Sequence, residues 1–180
     1  MPVPVLETPQ LCLYPLVPED APAVQALFPQ WGIVRFLSDV VPWPYPADGA
    51  QRFICDVVQP DVAAGRGWYW SIRHKRQPAD LIGVISLHDR EDENRGFWIA
   101  PPWQRQGLAT QACACVTAFW FEVLQKPRLR VYKAIDNVAS VKISEHSGMR
   151  QIGMTDKRYV SGVLPTQVWE ITREEWMQLH

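Results

Sequence analysis

The spacing of apolar and polar positions changes character at Gly67. From there "WYWSIRHK" (68–75) and "DLIGVISLHD" (80–89) alternate with a period of two, and "RQPAD" between them supplies a turn, so the pair predicts an antiparallel hairpin. After a charged loop, Asp89 to Asn94, "RGFWIA" (95–100) predicts a third strand of the same sheet. The period then lengthens. In "GLATQACACVTAFWFEVLQ" the residues Leu108, Ala112, Val116, Phe119 and Val123 recur at helical spacing, one apolar face of a long helix that Lys126-Pro127 ends. "RLRVYKAI" (128–135) returns to strand, and Asn137 stands where it caps a helix running to about Ser147, with Gly148 in the usual C-terminal position. "MRQIGM" and "TQVWEITREEW" predict two final strands and a short tail.

Upstream of Gly67 the chain is proline-punctuated: eleven of its 16 prolines precede residue 61, which favours short helices and fixed turns. "LCLYPL" (Leu11 to Leu16) predicts a strand. Pro18, Glu19 and Asp20 lead into a short amphipathic helix, with the acids at the end the dipole favours, and a further helix starts near Pro46 or Ala47. The order is strand, helices, three strands, helix, strand, helix, two strands. No repeat or linker interrupts it, so residues 1–180 are expected to form a single α/β (α+β) domain.

Charge narrows the function. A net charge of -1 leaves no basic field to hold nucleic acid or an anionic membrane, so any anion must be bound locally. The N-terminus lacks the features of a secretory signal, and the longest nearly apolar run, Ala112 to Phe121, is far below the roughly 20 residues of a membrane span. A soluble, cytoplasmic protein is expected. Cys12, Cys55, Cys113 and Cys115 are scattered, and Cys113-x-Cys115 on a helix diverges, so neither a disulfide nor a metal pair is expected.

Local anion chemistry does appear just ahead of the long helix. Gln104 to Ala109 read Q-x-x-G-x-A: Gly107 allows close backbone approach, the first-turn amides have no intrahelical partner, and Arg105 adds a positive charge. A glycine there also serves as a plain cap or tight turn. Neither the P-loop pattern nor the dinucleotide G-x-G-x-x-G occurs.

"RGFWIAPPWQRQGLATQACACVTAFWF" followed by "VYKAIDNVASVKISEHSGMRQIG" resembles the GNAT superfamily of acyl-CoA-dependent N-acyltransferases, most closely its RimJ/RimL-like branch. "LYPLVPEDA", "PWPYP" and "ITREEW" are similar to that branch too, so the likeness spans nearly the whole chain. It implies a mixed, mostly antiparallel sheet of about seven strands flanked by helices, with the fourth and fifth strands splayed. It further implies that Gln104, Arg105, Gln106, Gly107, Leu108, Ala109 and Thr110 wrap the pyrophosphate of acetyl-CoA. The fourth strand, Gly96 to Ala100, would present Trp98 and the Ile99 backbone to the thioester, where an N–H stabilises the oxyanion. Asn137 would hold the cofactor arm or the local backbone.

Ser140, three residues after Asn137, is by the same resemblance near the CoA sulfur, where its hydroxyl would protonate the leaving thiolate; its alternative is to solvate the first helical turn. Ser144 stands where many members of the superfamily carry a tyrosine acid, and Asn94 where related sequences carry a glutamate. Candidate bases are therefore Glu93 or Asp92, His88 with its suitable unperturbed pKa, and Glu170 on the last strand, with a water relay or plain surface charge as the alternatives. Trp43 and Tyr45 in "VPWPYP" either wall the acceptor site or fasten the loop to the core. Acetyl transfer to an amine-bearing acceptor, a protein N-terminus or a small molecule, is the leading reading. A non-catalytic CoA-binding sensor or interaction module is the alternative.

Overall fold

The computed structural model describes all 180 residues. In chain order its elements are β1 (Leu6–Glu7), β2 (Leu11–Pro15), α1 (Ala21–Leu27), α2 (Trp31–Val34), α3 (Gly49–Phe53), α4 (Gln59–Ala63), β3 (Gly67–His74), β4 (Leu81–His88) and β5 (Arg95–Ile99). There follow α5 (Leu108–Ala118), β6 (Arg128–Ala134), α6 (Val138–His146), β7 (Arg150–Tyr159), β8 (Gly162–Thr172) and α7 (Arg173–Leu179). The mixed α/β class matches the sequence, with one short strand, β1, beyond the seven expected, so the expected fourth strand is β5. No helix is long and apolar enough to cross a membrane.

Departures from the expected elements have local causes. The helix beginning near Pro46 starts at Gly49 and passes through a π turn, Ile54–Val58, between α3 and α4. That wider turn precedes Pro60, which has no N–H to continue an α ladder. The long helix also widens into a π turn, Phe119–Val123, because three consecutive rings, Phe119, Trp120 and Phe121, are all buried and cannot share one α-helical face. Val123 is consequently exposed rather than on the core face. The expected short tail is α7, started by a capping box in which the Thr172 hydroxyl accepts from the Glu175 amide and the Glu175 carboxylate accepts from the Thr172 amide. Asn137 occupies the N-cap of α6, but its side chain makes no capping bond.

The strands form two sheets, β1-β2-β3-β4-β5 and β6-β8-β7, with every pairing antiparallel. One core lies between the first sheet and α5 and runs on into the second: Leu11, Leu13, Trp70, Ile85, Leu108, Val116, Val131 and Trp169 belong to it. A second core covers the opposite face, where Val24, Phe28, Val34, Ile54, Tyr69 and Val84 pack together. Burial on both faces accounts for the near-continuous apolar run of β4. Gly83 is required in that strand, since a Cβ would lie 2.3 Å from the Trp98 carbonyl oxygen of β5.

No ladder joins β5 to β6; Asn94 does instead. Its backbone N–H donates to the Arg130 carbonyl (2.8 Å) and its Oδ1 accepts from the Arg130 N–H (2.8 Å). Its Nδ2 donates to the carbonyls of His88 (3.1 Å) and Arg90 (2.7 Å). The residue is 2% exposed, so every one of these groups depends on the others for satisfaction. From this pin the two strands run on unpaired, which is the expected splay. Asn94→Ala removes three side-chain hydrogen bonds and leaves the half-buried Arg130 N–H without its partner; a loss of about 2–4 kcal/mol is expected, read as a lower urea midpoint at unchanged slope.

Candidate active site

Ladder alternation decides what the splay exposes. The Ala100 N–H donates to Ile82 O (2.8 Å) and the His88 N–H to Asn94 O (2.8 Å), so the even-numbered residues of β5, Gly96 and Trp98, direct their backbone groups at β4. Phe97 and Ile99 direct theirs into the gap. Across it, β6 uses its even positions for the Asn94 contacts, so the backbone of Tyr132 also faces the gap. Apart from the Ile99 carbonyl, which accepts from a side chain, these edges are unpaired and border a cleft of about 770 Å³.

The mouth of the cleft is the loop ahead of α5. Arg105 (φ 62°) and Gly107 (φ 76°) both lie in the left-handed region, and a Cβ on Gly107 would meet nothing within 4 Å. Gly107 is thus needed for its backbone conformation, and the space above it is open. Six consecutive backbone N–H groups, Arg105 to Thr110, have no partner within the chain. Four of them open α5, where the helix dipole is positive, and Arg105 beside them makes no ion pair. Gln104 ties the loop to β5 by donating to Ile99 O (2.8 Å), and Gln106 braces it by donating to Pro102 O (3.1 Å) while its side chain stays outside the cleft.

Opposite the loop, the start of α6 brings Asn137 and Ser140 to the cleft wall. Ser140 is 6% exposed and its hydroxyl makes no hydrogen bond, so it does not solvate the helical turn. Ser144, one turn on, is fully buried, also without a partner, and does not reach the cleft.

The family model of the acetyltransferase (GNAT) domain matches residues 10–150. The chain belongs to the GNAT family. Among curated relatives, Bacillus subtilis (strain 168) "Putative ribosomal N-acetyltransferase YdaF" is 32% identical over 102 residues, 53% of this chain and 56% of that protein. From the same organism, "Uncharacterized N-acetyltransferase YoaA" is 26% identical over 94% of this chain and 97% of its own. The fold matches that of RimL, a ribosomal L7/L12 α-N-protein acetyltransferase solved with coenzyme A, with a TM-score of 0.79 at 14% identity over 94% of this chain and 98% of that one. Mycobacterium smegmatis RimJ, solved with CoA-disulfide, gives 0.80 at 20% identity over 96% and 88%.

Within this GNAT frame the proposed bases separate. Glu170 does not face the cleft: its Oε2 accepts from Arg130 Nε (2.9 Å) and Arg128 Nη1 (3.3 Å), because β8 sets it directly opposite Arg130. Asp92 pairs with Arg130 (2.9 Å) outside the cleft, and Glu93 lines the cleft but is matched by Lys157. His88 lines it too. Its Nε2 lies 2.9 Å from Ser86 Oγ and its Nδ1 3.4 Å from the Tyr69 hydroxyl, which donates to Asp61 Oδ2 (2.9 Å). With that hydroxyl committed to Asp61, the network assigns the proton to Nδ1 and leaves Nε2 as acceptor. Burial, followed by the charge of Arg90, pushes the His88 pKa down to about 4 against the opposing pull of Asp61.

Trp43 and Tyr45 do not line the cleft. Tyr45 packs edge-on to Phe28 (5.1 Å) and over Gly49, while Trp43 leans on Trp31 (5.8 Å), so both fasten the loop. The wall on that side is instead Arg35 to Ser38, held by Val160 N–H donating to Leu37 O (2.9 Å) and Ser161 Oγ to Arg35 O (2.6 Å). Sequence reasoning had no signal for this contact, which joins residues 126 positions apart.

A histidine held neutral makes stability pH-dependent. Because its folded pKa lies below the unfolded value, the stabilisation is complete above pH ~6.5 and drains as pH falls toward 4, by up to about 3 kcal/mol. His88→Gln is expected to flatten that part of a pH series of urea midpoints relative to wild type.

Proposed function

We propose that the protein is an N-acetyltransferase that moves an acetyl group from acetyl-CoA to a primary amine by direct attack in a ternary complex, acting in the cytoplasm. One observation carries this reading: six adjacent backbone amides without partners stand at the mouth of a cleft whose walls are unpaired strand edges. Partnerless amides at a helix N-terminus suit a pyrophosphate, and unpaired edges suit the amide-rich pantetheine arm. The residues therefore fit coenzyme A, which supplies the activated acyl thioester when bound.

In this reading Gln104 to Thr110 grip the diphosphate, with Arg105 adding charge. The N–H groups of Phe97 and Ile99 point into the gap, where they stabilise the oxyanion as the amine attacks. Trp98 backs that strand from the opposite face, its ring 5.4 Å from Phe28. Asn137, with its amide side chain uncommitted, holds the cofactor arm, and the free Ser140 hydroxyl delivers a proton to the departing sulfur as the C–S bond breaks, taking one back from water.

His88 receives the proton of the attacking amine. A base of low pKa suffices, because an amine nitrogen becomes far more acidic once it bonds to the acyl carbon; Ser86 or a water carries the proton to Nε2. The acceptor enters along Arg35 to Ser38, Tyr132 and Tyr159, which line the other end of the cleft. Its amine belongs to a protein N-terminus, as the names of YdaF and RimL suggest, or to a small molecule. The sensor reading draws on Asn94, which is occupied as a pin, and on the sealed Ser144.

Release of free CoA thiol from acetyl-CoA over a panel of amines tests catalysis, and a sensor leaves the thioester intact. Gly107→Asp places a carboxylate at the diphosphate and forces a non-glycine residue to φ 76°; a loss of acetyl-CoA affinity of at least tenfold by calorimetry is expected, and unchanged affinity removes the loop assignment. Ser140→Ala is expected to lower kcat about 10- to 100-fold with KM for acetyl-CoA nearly constant, checked by steady-state kinetics.

A further inference from the structure

Arg95 is a buried cation without a counter-charge. It is 5% exposed on β5, at a position sharing a strand face with Phe97 and the buried Ile99, where apolar side chains are the rule. Its Nη1 donates to Thr117 Oγ1 (2.8 Å), but Nε and Nη2 have no partner, and no carboxylate lies within ion-pair distance. Thr117 has no further capacity to help, since its hydroxyl donates to Cys113 O (2.6 Å). A guanidinium left so is strongly unfavourable unless an anion completes it.

Two cavities adjoin the residue, and a shift of the side chain brings its sealed Nε and Nη2 to an anion held in them. Arg95 lines the acyl-CoA cleft and also a second cavity of about 390 Å³ between α5, α6 and α7; Thr110, Ile143 and His146 are common to both. Lys133 of β6 adds a second cation. It is 7% exposed, makes no ion pair, and rests its ammonium 5.1 Å over the Phe97 ring. Burial, then the neighbouring Arg95, pulls its pKa down to about 8, so it stays mainly charged at neutral pH. The nearest carboxylate by charge influence, Glu93, is taken by Lys157.

We propose that Arg95, with Lys133 beside it, forms a carboxylate-binding site at the inner end of the cleft. Two in-plane donors, Nε and Nη2, on one edge of the guanidinium match the two oxygens of a carboxylate. Arg95 lies two residues along β5 from Phe97, roughly 7 Å of strand. That spacing suits the terminal carboxylate of a dicarboxylic acyl group carried on CoA, such as succinyl. The second cavity equally admits a free small carboxylate. The acyl-CoA source rests on the functional reading above, whereas the free-anion source does not.

A matched pair of stable thioethers, S-(3-carboxypropyl)-CoA and S-butyl-CoA, separates charge from chain length, and succinate alone serves as the free anion. Calorimetry on the wild-type chain is expected to show the carboxylated thioether binding at least tenfold tighter than the butyl one, with the preference abolished in Arg95→Met. If succinate is the source, the two thioethers bind alike, and millimolar succinate raises the wild-type Tm saturably but not that of Arg95→Met. Arg95→Met removes an uncompensated buried charge and is expected to fold; Arg95→Gln is the second variant, with the same losses expected. Equal thioether affinities together with no succinate-dependent Tm shift in the wild type overturn the site. Failure of every CoA species to bind overturns the functional reading instead, and the succinate arm then decides Arg95 alone.

Discussion

The structure depends on two strands that start together and do not pair. Asn94 holds β5 against β6 at one point by reciprocal bonds to Arg130, and beyond it the backbone groups of Phe97, Ile99 and Tyr132 face one another across a gap. Buried backbone groups left without partners are expensive, so a protein that keeps a row of them keeps it for a ligand or for water. The fold tolerates the gap because each strand is anchored on its far side, β5 by β4 and β6 by β8. Two apolar cores on the faces of the first sheet supply the remaining stability.

That division of labour explains why the cleft-facing polar groups are so often single. The Ser140 hydroxyl and the amides from Arg105 to Thr110 have no partner within the chain, while Glu170, Asp92 and Asn94 are fully engaged in holding strands together. Polar groups of the second kind fix the geometry. Polar groups of the first kind are available to a substrate without breaking a bond, which is the sense in which the site is preorganised. His88 lies between these classes: Asp61 and Tyr69 orient one ring nitrogen, and the other is directed at Ser86 beside the Gly96 backbone.

Much of this was legible in the order of residues because the signals are local. The apolar runs of β3 and β4, buried on both faces rather than alternating, the helical face of α5 and the glycine before it depend on neighbours a few positions away, and each element appears where its pattern lies. Long-range contacts were not legible. Glu170 was a reasonable candidate for the cleft until the register of β8 set it against Arg130. The aromatic "VPWPYP" loop likewise packs away from the cleft, whose wall on that side is Arg35–Ser38, held by bonds to Val160 and Ser161. Lys133 and Arg95 carry no such local signal, because a basic residue in an amphipathic strand ordinarily faces water; only parity with Val131 and Ile99 hints that these two face inward.

Arg95 and Lys133 form a buried positive pair on the wall of the cleft. The two are like charges buried near enough to act on each other, and the chain offers no carboxylate to relieve Arg95. Burial has already drawn Lys133 down toward neutrality, which is the response available to an amine. A guanidinium has no such escape, because its pKa lies too high to discharge it at any physiological pH. The strain therefore stays in the protein until an anion arrives, and whichever carboxylate does so gains both the bidentate geometry of Arg95 and the relief of that repulsion. A site of this kind discriminates by charge at the end of a ligand, a property that the partnerless amides ahead of α5 do not provide.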